Sequence, residues 1–189
     1  IRKVKFKMKS MFILGGAGDI GKAIVNKFRK NGYKITAPSS KELDLSDRIS
    51  IERYLEKHKE NLLDVLIHCA GFNNPKPFEE IKYEDIDKTN SINVVSFYKI
   101  IQHFLPVFKK RRQGYILAIS SIYSFIARKY RLPYVMSKHA LNGMIKTIAL
   151  ELGPYNIKVN ALSPGFVDTK MTRKNNNPDT IRNLESKIP

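Results

Sequence analysis

The sequence predicts an α/β protein, a doubly wound parallel sheet of about six strands with helices on both faces. Three observations carry this expectation. Short apolar runs such as "SMFIL" and "DVLIHCA" stop at glycine, as strands buried on both faces do. Between them lie stretches whose apolar residues recur every three or four positions, the spacing of an amphipathic helix. No internal repeat or low-complexity linker divides the 189 residues, so 1–189 reads as a single domain with a sizeable core.

The elements follow in order. Residues 1–9, "IRKVKFKMK", are a basic N-terminal extension or the start of the first strand, which covers 10–16. Residues 20–31 form a helix with Ile20, Ile24 and Phe28 on one face and Gly32 as its stop. Strands are expected at 33–37 and at 42–45, "ELDL", with too few residues between them for a helical crossover. Asp47 caps a helix running to about residue 60, with Ile51 and Leu55 on one face. A strand at 64–71, a long helix over 83–110 and a strand at 114–121 come next. A helix from Pro133 to Gly153 and a sixth strand at 157–165 complete the pattern.

Composition narrows the function classes. The net charge is +17, with Lys and Arg spread along the chain and small clusters at 2–9, 109–112 and 128–131. Without a nucleic-acid-binding motif this reads as a lysine-rich solvated surface, with no specific nucleic-acid partner. No apolar run reaches the ~20 residues of a membrane span, and no secretory signal is visible. The one cysteine, Cys69, excludes an internal disulfide and fits a reducing, cytoplasmic setting. His58, His68, His103 and His139 lack metal-ligand spacing, so no metal site is expected.

Two motifs carry chemistry. "LGGAGDIGKA" joins the first strand to the first helix, with Gly15, Gly18 and Gly21 three apart. Glycine permits a tight turn and close backbone approach to a pyrophosphate, and the helix N-terminus adds free N–H groups and a positive dipole end. Further on, Tyr134 and Lys138 lie four apart, so a helix puts both on one face. An ammonium beside a phenol favours the phenolate and draws its pKa down from about 10, toward the range of a general acid or base. Ser121 ends a strand, where a side chain projects into the crevice beyond the sheet.

Glycine turn, "HCAG" after the fourth strand, Asn93, Ser121, Tyr134-x-x-x-Lys138 and "SPGFVDT" fall in this order on suitable elements. Together they resemble the short-chain dehydrogenase/reductase family, with its Rossmann-like fold, over nearly the whole chain. The resemblance implies an NAD(P)-dependent enzyme that transfers hydride between cofactor and a small-molecule carbonyl or secondary alcohol. It implies Tyr134 as general acid, Lys138 as the cation that lowers its pKa and binds the nicotinamide ribose, and Ser121 as the group that polarises the carbonyl. Asn93 would hold a water linking Lys138 to solvent. The cofactor would be lined by Gly15, Gly18, Asp19, Ile20 and Gly21, by Ser39, Ser40, Asp44 and Leu45, by Ala70 and Gly71, and by Pro164, Gly165, Val167 and Thr169, with Tyr134 and Lys138. The resemblance also implies a homodimer or homotetramer built on the two long helices.

Three features depart from the family pattern. Asp19 stands where short members usually place glycine. The link from Ala37 to Glu42 omits a helix, and the chain ends before the family's last helix and strand. After the second strand, Ser39, Ser40 and Lys41 replace the acidic residue that binds a ribose hydroxyl, so NADP(H) is expected over NAD(H). Arg128, Lys129, Arg131, Lys170, Arg173 and Lys174 border the substrate region in the family, which hints at an anionic substrate, although a solvated basic rim is the favoured explanation. The alternative to a reductase is a catalytically silent dinucleotide-binding regulatory protein.

Overall fold

The structure, a computed structural model, describes residues 9–58 and 62–186. The basic segment 1–8 and the expected end of the second helix, 59–61, lie outside the described residues.

Five parallel strands form one sheet: β1 (Ser10–Leu14), β2 (Lys34–Thr36), β3 (Val65–His68), β4 (Gly114–Ile119) and β5 (Ile157–Leu162), in the order β2-β1-β3-β4-β5. The helices between them are α1 (Asp19–Lys30), α2 (Arg48–Lys57), α3 (Tyr83–Asn90), α4 (Ser96–Arg111) and α5 (Leu132–Leu152). Two short ones follow, α6 (Lys170–Lys174) and α7 (Pro178–Glu185). Chain direction across the sheet reverses between β1 and β3, and the crevice at that switch point is where such sheets bind ligands.

β1 is buried along its whole length, and its residues serve two cores in alternation. Met11 and Ile13 pack with Val25, Val65 and Ile67 under α1. Phe12 and Leu14 face the larger core, with Ile51 and Leu55 of α2, Phe97 and Phe104 of α4, and Leu141 and Ile145 of α5. This is the two-sided burial expected from uninterrupted apolar strands. On α1 the buried residues are Gly21 and Val25, with Ile24 and Phe28 packed beside them. Ile20 is turned to the cleft. Asp64 fixes the start of the sheet: its carboxylate accepts from Ser10 N at 2.7 Å and pairs with Arg111 at 2.6 Å.

Two expectations are corrected. Residues 42–45 are not a strand, which leaves five strands among the described residues rather than six. Leu43 is buried in the larger core and Leu45 packs against it. Their polar neighbours, however, bond locally. The Glu42 carboxylate accepts from Ser39 N and Oγ, and the Asp44 carboxylate accepts from Ser46 N and Oγ. Such side-chain-to-backbone bonds favour turns over ladders. The helix expected over 83–110 is also interrupted, because Ser91–Val95 form a π-turn between α3 and α4.

Candidate active site

A cleft of about 510 Å³ opens at the C-terminal ends of β1, β3 and β4. Its floor is the turn from β1 into α1. Gly15 has φ +77°, and a Cβ there would meet Ala70 N at 2.5 Å. At Gly21 a Cβ would lie 2.1 Å from the Gly15 carbonyl. Those two positions require glycine; Gly18 does not, since its Cβ would meet nothing nearer than 3.4 Å. Gly18 is instead the N-cap of α1 and supplies no side-chain cap, so the first N–H groups of the helix face the cleft unclaimed by a side chain. Asp19, the residue that departs from the family pattern, lines the cleft, and its carboxylate accepts from Lys170 N at 2.7 Å.

The remaining walls hold every cofactor residue picked out from the sequence. Ser39, Ser40, Asp44 and Leu45 come from the turns after β2, and Ala70 and Gly71 from the end of β3. Pro164, Gly165, Val167 and Thr169 come from the segment after β5. The sequence reading missed Leu43, Cys69, Ile92, Ile119 and Ser120, which line the same cleft. Leu43, Cys69 and Ser120 are direct neighbours of chosen residues, and that adjacency was the available signal. The Ser120 hydroxyl is buried without a partner. A cleft with a glycine floor, an uncapped helix N-terminus and an unused buried hydroxyl fits a dinucleotide, and these residues would hold it.

Ser121, Tyr134 and Lys138 meet at one end of this cleft. Ser121 follows β4 and caps the next turn, accepting from Tyr123 N at 3.2 Å. Tyr134 and Lys138 lie on α5, and the Lys138 Nζ is 5.5 Å from the centre of the Tyr134 ring. Lys138 is 2% exposed and donates to the Ile119 carbonyl at 2.9 Å. Burial pushes its pKa down to about 8. The phenol of Tyr134 departs from expectation. Burial holds its pKa above the ordinary tyrosine value, and the hydrogen bond with Ser121 pulls the other way. Removal of the phenol from water outweighs both that bond and the nearby Arg131 charge.

Asn93 does not line the cleft. It sits buried in the π-turn, where Nδ2 donates to Phe72 O at 3.0 Å and to Ser137 Oγ at 2.9 Å, and Oδ1 accepts from Phe72 N at 2.7 Å. Both amide donors are therefore spent clamping the loop after β3 to the residue before Lys138. The Asn93 carbonyl faces His68 Nε2 at 3.2 Å. His68, fully buried and stacked on Phe97 at 4.6 Å, has its pKa pushed down to about 3 by burial and by the Lys138 charge. No sequence signal marked His68 as part of this network.

Comparison with known proteins places the chain in a family. The short chain dehydrogenase profile matches residues 39–180. A 3-oxoacyl-(acyl-carrier-protein) reductase of Thermotoga maritima is 31% identical, over 90% of this chain and 79% of its own length. A 3alpha-hydroxysteroid dehydrogenase of Mediterraneibacter gnavus is 30% identical, over 87% of this chain and 76% of its own length. Among solved structures, ElxO with NADP bound superposes with a TM-score of 0.80 at 28% identity, over 89% of this chain and 77% of that one. A 4-hydroxyisoleucine dehydrogenase complexed with NADH gives 0.79 at 28% identity, over 87% of this chain and 78% of that one. With a profile match over more than half its length and these relatives, the chain belongs to the short-chain dehydrogenase/reductase family of NAD(P)-dependent oxidoreductases.

Proposed function

We propose that the protein reduces a small-molecule ketone to a secondary alcohol, or runs the reverse oxidation, with a Ser121-Tyr134-Lys138 site. The observation that carries this reading is the meeting of those three side chains at the end of the glycine-floored cleft. A bound dihydronicotinamide supplies the hydride. The Tyr134 hydroxyl donates a proton to the carbonyl oxygen, and its raised pKa keeps it protonated until negative charge develops there. Ser121, bonded to Tyr134, orients the same oxygen. Lys138 holds a positive charge in a buried setting below about pH 8. That charge stabilises the negative charge that develops on Tyr134 as its proton leaves. Asn93 acts by position, tying Ser137 and hence α5 to the loop after β3.

NADP(H) preference over NAD(H) belongs to this reading. Its support is the absence of an acidic residue from the end of β2 through Lys41. Glu42 is the competing feature, although its carboxylate is engaged by Ser39. A cytoplasmic setting also belongs to it, supported by the free Cys69 thiol. Among the described residues no helix is long and apolar enough to cross a membrane.

The test is Tyr134→Phe, which keeps the ring and removes the proton donor. Ketone-dependent NADPH oxidation should fall by at least ~10², with NADPH still bound. Activity within a few-fold of the parent protein would refute the assignment. Titration with both cofactors tests the preference, and a lower Kd for NADH would reverse it.

A further inference from the structure

Among the charges bordering Tyr134, Arg131 is not part of a solvated rim. Arg131 lies one turn before Tyr134 at the N-cap of α5, and it is 6% exposed. Its Nη2 donates to Asn175 O at 2.6 Å and reaches Asn176 Oδ1 at 3.3 Å. Its Nη1 is buried with no partner. Arg128 reaches the same Asn176 oxygen through Nη2 at 3.2 Å, and its Nη1 donates to the Tyr123 hydroxyl at 2.6 Å. Its guanidinium also lies 5.3 Å from the centre of the Phe166 ring. Two guanidiniums therefore share one neutral amide oxygen. Among the described residues neither has a carboxylate within salt-bridge reach.

This arrangement is costly unless something else uses it. A buried cation without a counter-charge is destabilising, and here burial and the Arg128 charge both act against the ionised Arg131. The aromatic neighbours tie the pair to the reaction centre. Tyr123, which holds Arg128, stands edge-on to Tyr134 with centroids 6.3 Å apart, and both phenols act on the Arg131 guanidinium. Asn176 is in the segment between α6 and α7, and its amide oxygen occupies the place an anionic oxygen would take between the two forks.

We infer that Arg131 and Arg128 form an anion subsite beside Tyr134, so that the preferred substrate is a ketone or secondary alcohol carrying a carboxylate or a phosphate. The anionic oxygens displace the Asn176 amide and engage the unused Nη1 of Arg131. Guanidinium forks match such oxygens two at a time. This inference rests on the reductase reading above.

The experiment compares acid with neutral counterpart on the full chain saturated with NADPH. One arm uses straight-chain oxo acids, with the ketone one to four carbons from the carboxylate, against their methyl esters. A second arm uses dihydroxyacetone phosphate against dihydroxyacetone. Turnover is followed by NADPH oxidation and binding by NADPH fluorescence. At least one acid should exceed its neutral partner in kcat/KM, or in affinity where turnover is slow, by about tenfold or more, the scale of a hydrogen bond to a charged group. The arm in which this occurs identifies carboxylate or phosphate. In Arg131→Met the acid-to-neutral ratio should collapse toward one, and Arg131→Lys should restore part of it. A merely structural arginine would lower both members of a pair and leave the ratio unchanged. Equal handling of acid and neutral compounds, or neither binding nor turnover of any acid, overturns the subsite. Failure to bind NADPH at all would instead overturn the reductase reading.

Discussion

The Asp19 carboxylate accepts a hydrogen bond from the Lys170 backbone N–H at 2.7 Å, across 151 residues of sequence. It ties the glycine turn to the segment that leads into α6, and both line the cleft.

Asp19→Ala should release that segment. Lys170, Arg173 and Lys174 then become better trypsin sites, since cleavage tracks local opening. We expect several-fold faster nicking between residues 170 and 175, read by mass spectrometry, and slowing of that nicking by NADPH. Equal cleavage of variant and parent would show that the bond holds nothing in place.

Lys138 should set the alkaline limb of activity. Its pKa near 8 means that the buried charge is present at pH 7 and lost as pH rises through about 8. Ketone reduction should fall over that range. In Lys138→Met the rate should be lower throughout and the limb absent. An unchanged limb in the variant would assign that ionisation to another group.

His68 gives a prediction about stability. Its folded pKa is about 3, against a usual value of 6.5. Above 6.5 both states are neutral and nothing is lost. As pH falls below 6.5 the unfolded chain takes up a proton that the folded one refuses, and stability drops until about pH 3. The slope is at most about 1.4 kcal/mol per pH unit. His68→Asn should remove this component, so the urea midpoints of parent and variant, measured at pH 7 and pH 4.5, should converge toward acid. Parallel midpoints would mean that His68 is protonated in the folded state.

The outer face of α5 predicts self-association. Leu141 and Ile145 are buried, whereas Met136, Ala140, Gly143, Thr147 and Leu150 form an exposed ridge at helical spacing. Leu150 is 82% exposed. Such a ridge admits close approach of a second copy by two-fold symmetry. Sedimentation should show at least a dimer at micromolar concentration, and Leu150→Glu should shift it to monomer. A folded, active monomer in the parent protein would refute the proposal.

Much of this molecule is legible in its sequence, for reasons that also explain the errors. Alternating buried strands and amphipathic helices leave a strong periodic signal. Strand ends face the crevice, so Ser121 could be placed by position, whereas Ala70 and Pro164 came from the resemblance to the family. The strand expected at 42–45 failed because Leu43 and Leu45 alternate as a strand would while their polar neighbours close turns. The π-turn at Asn93 was invisible because apolar periodicity continues through it. Arg131 looked like a surface charge, since burial of a long basic side chain depends on Asn175 and Asn176, which are more than forty residues away.

The π-turn has a genetic consequence. The Ser96 N–H donates to the Ser91 carbonyl, five residues back, so this helical run holds one residue more than a regular ladder would. Each residue advances an α-helix by about 100°. The wide turn takes up its extra residue within about one rotation, so loss of a single codon between 91 and 95 would let the ladder close regularly with α3 and α4 near their present phase, at the cost of the wide turn itself. Asn93 would then swing away from Phe72 and Ser137 without any change to Ser121, Tyr134 or Lys138. An in-frame deletion here should therefore be more damaging than most substitutions at the exposed Val95, because it removes the wide turn that places Asn93 against Phe72 and Ser137 rather than a single side chain.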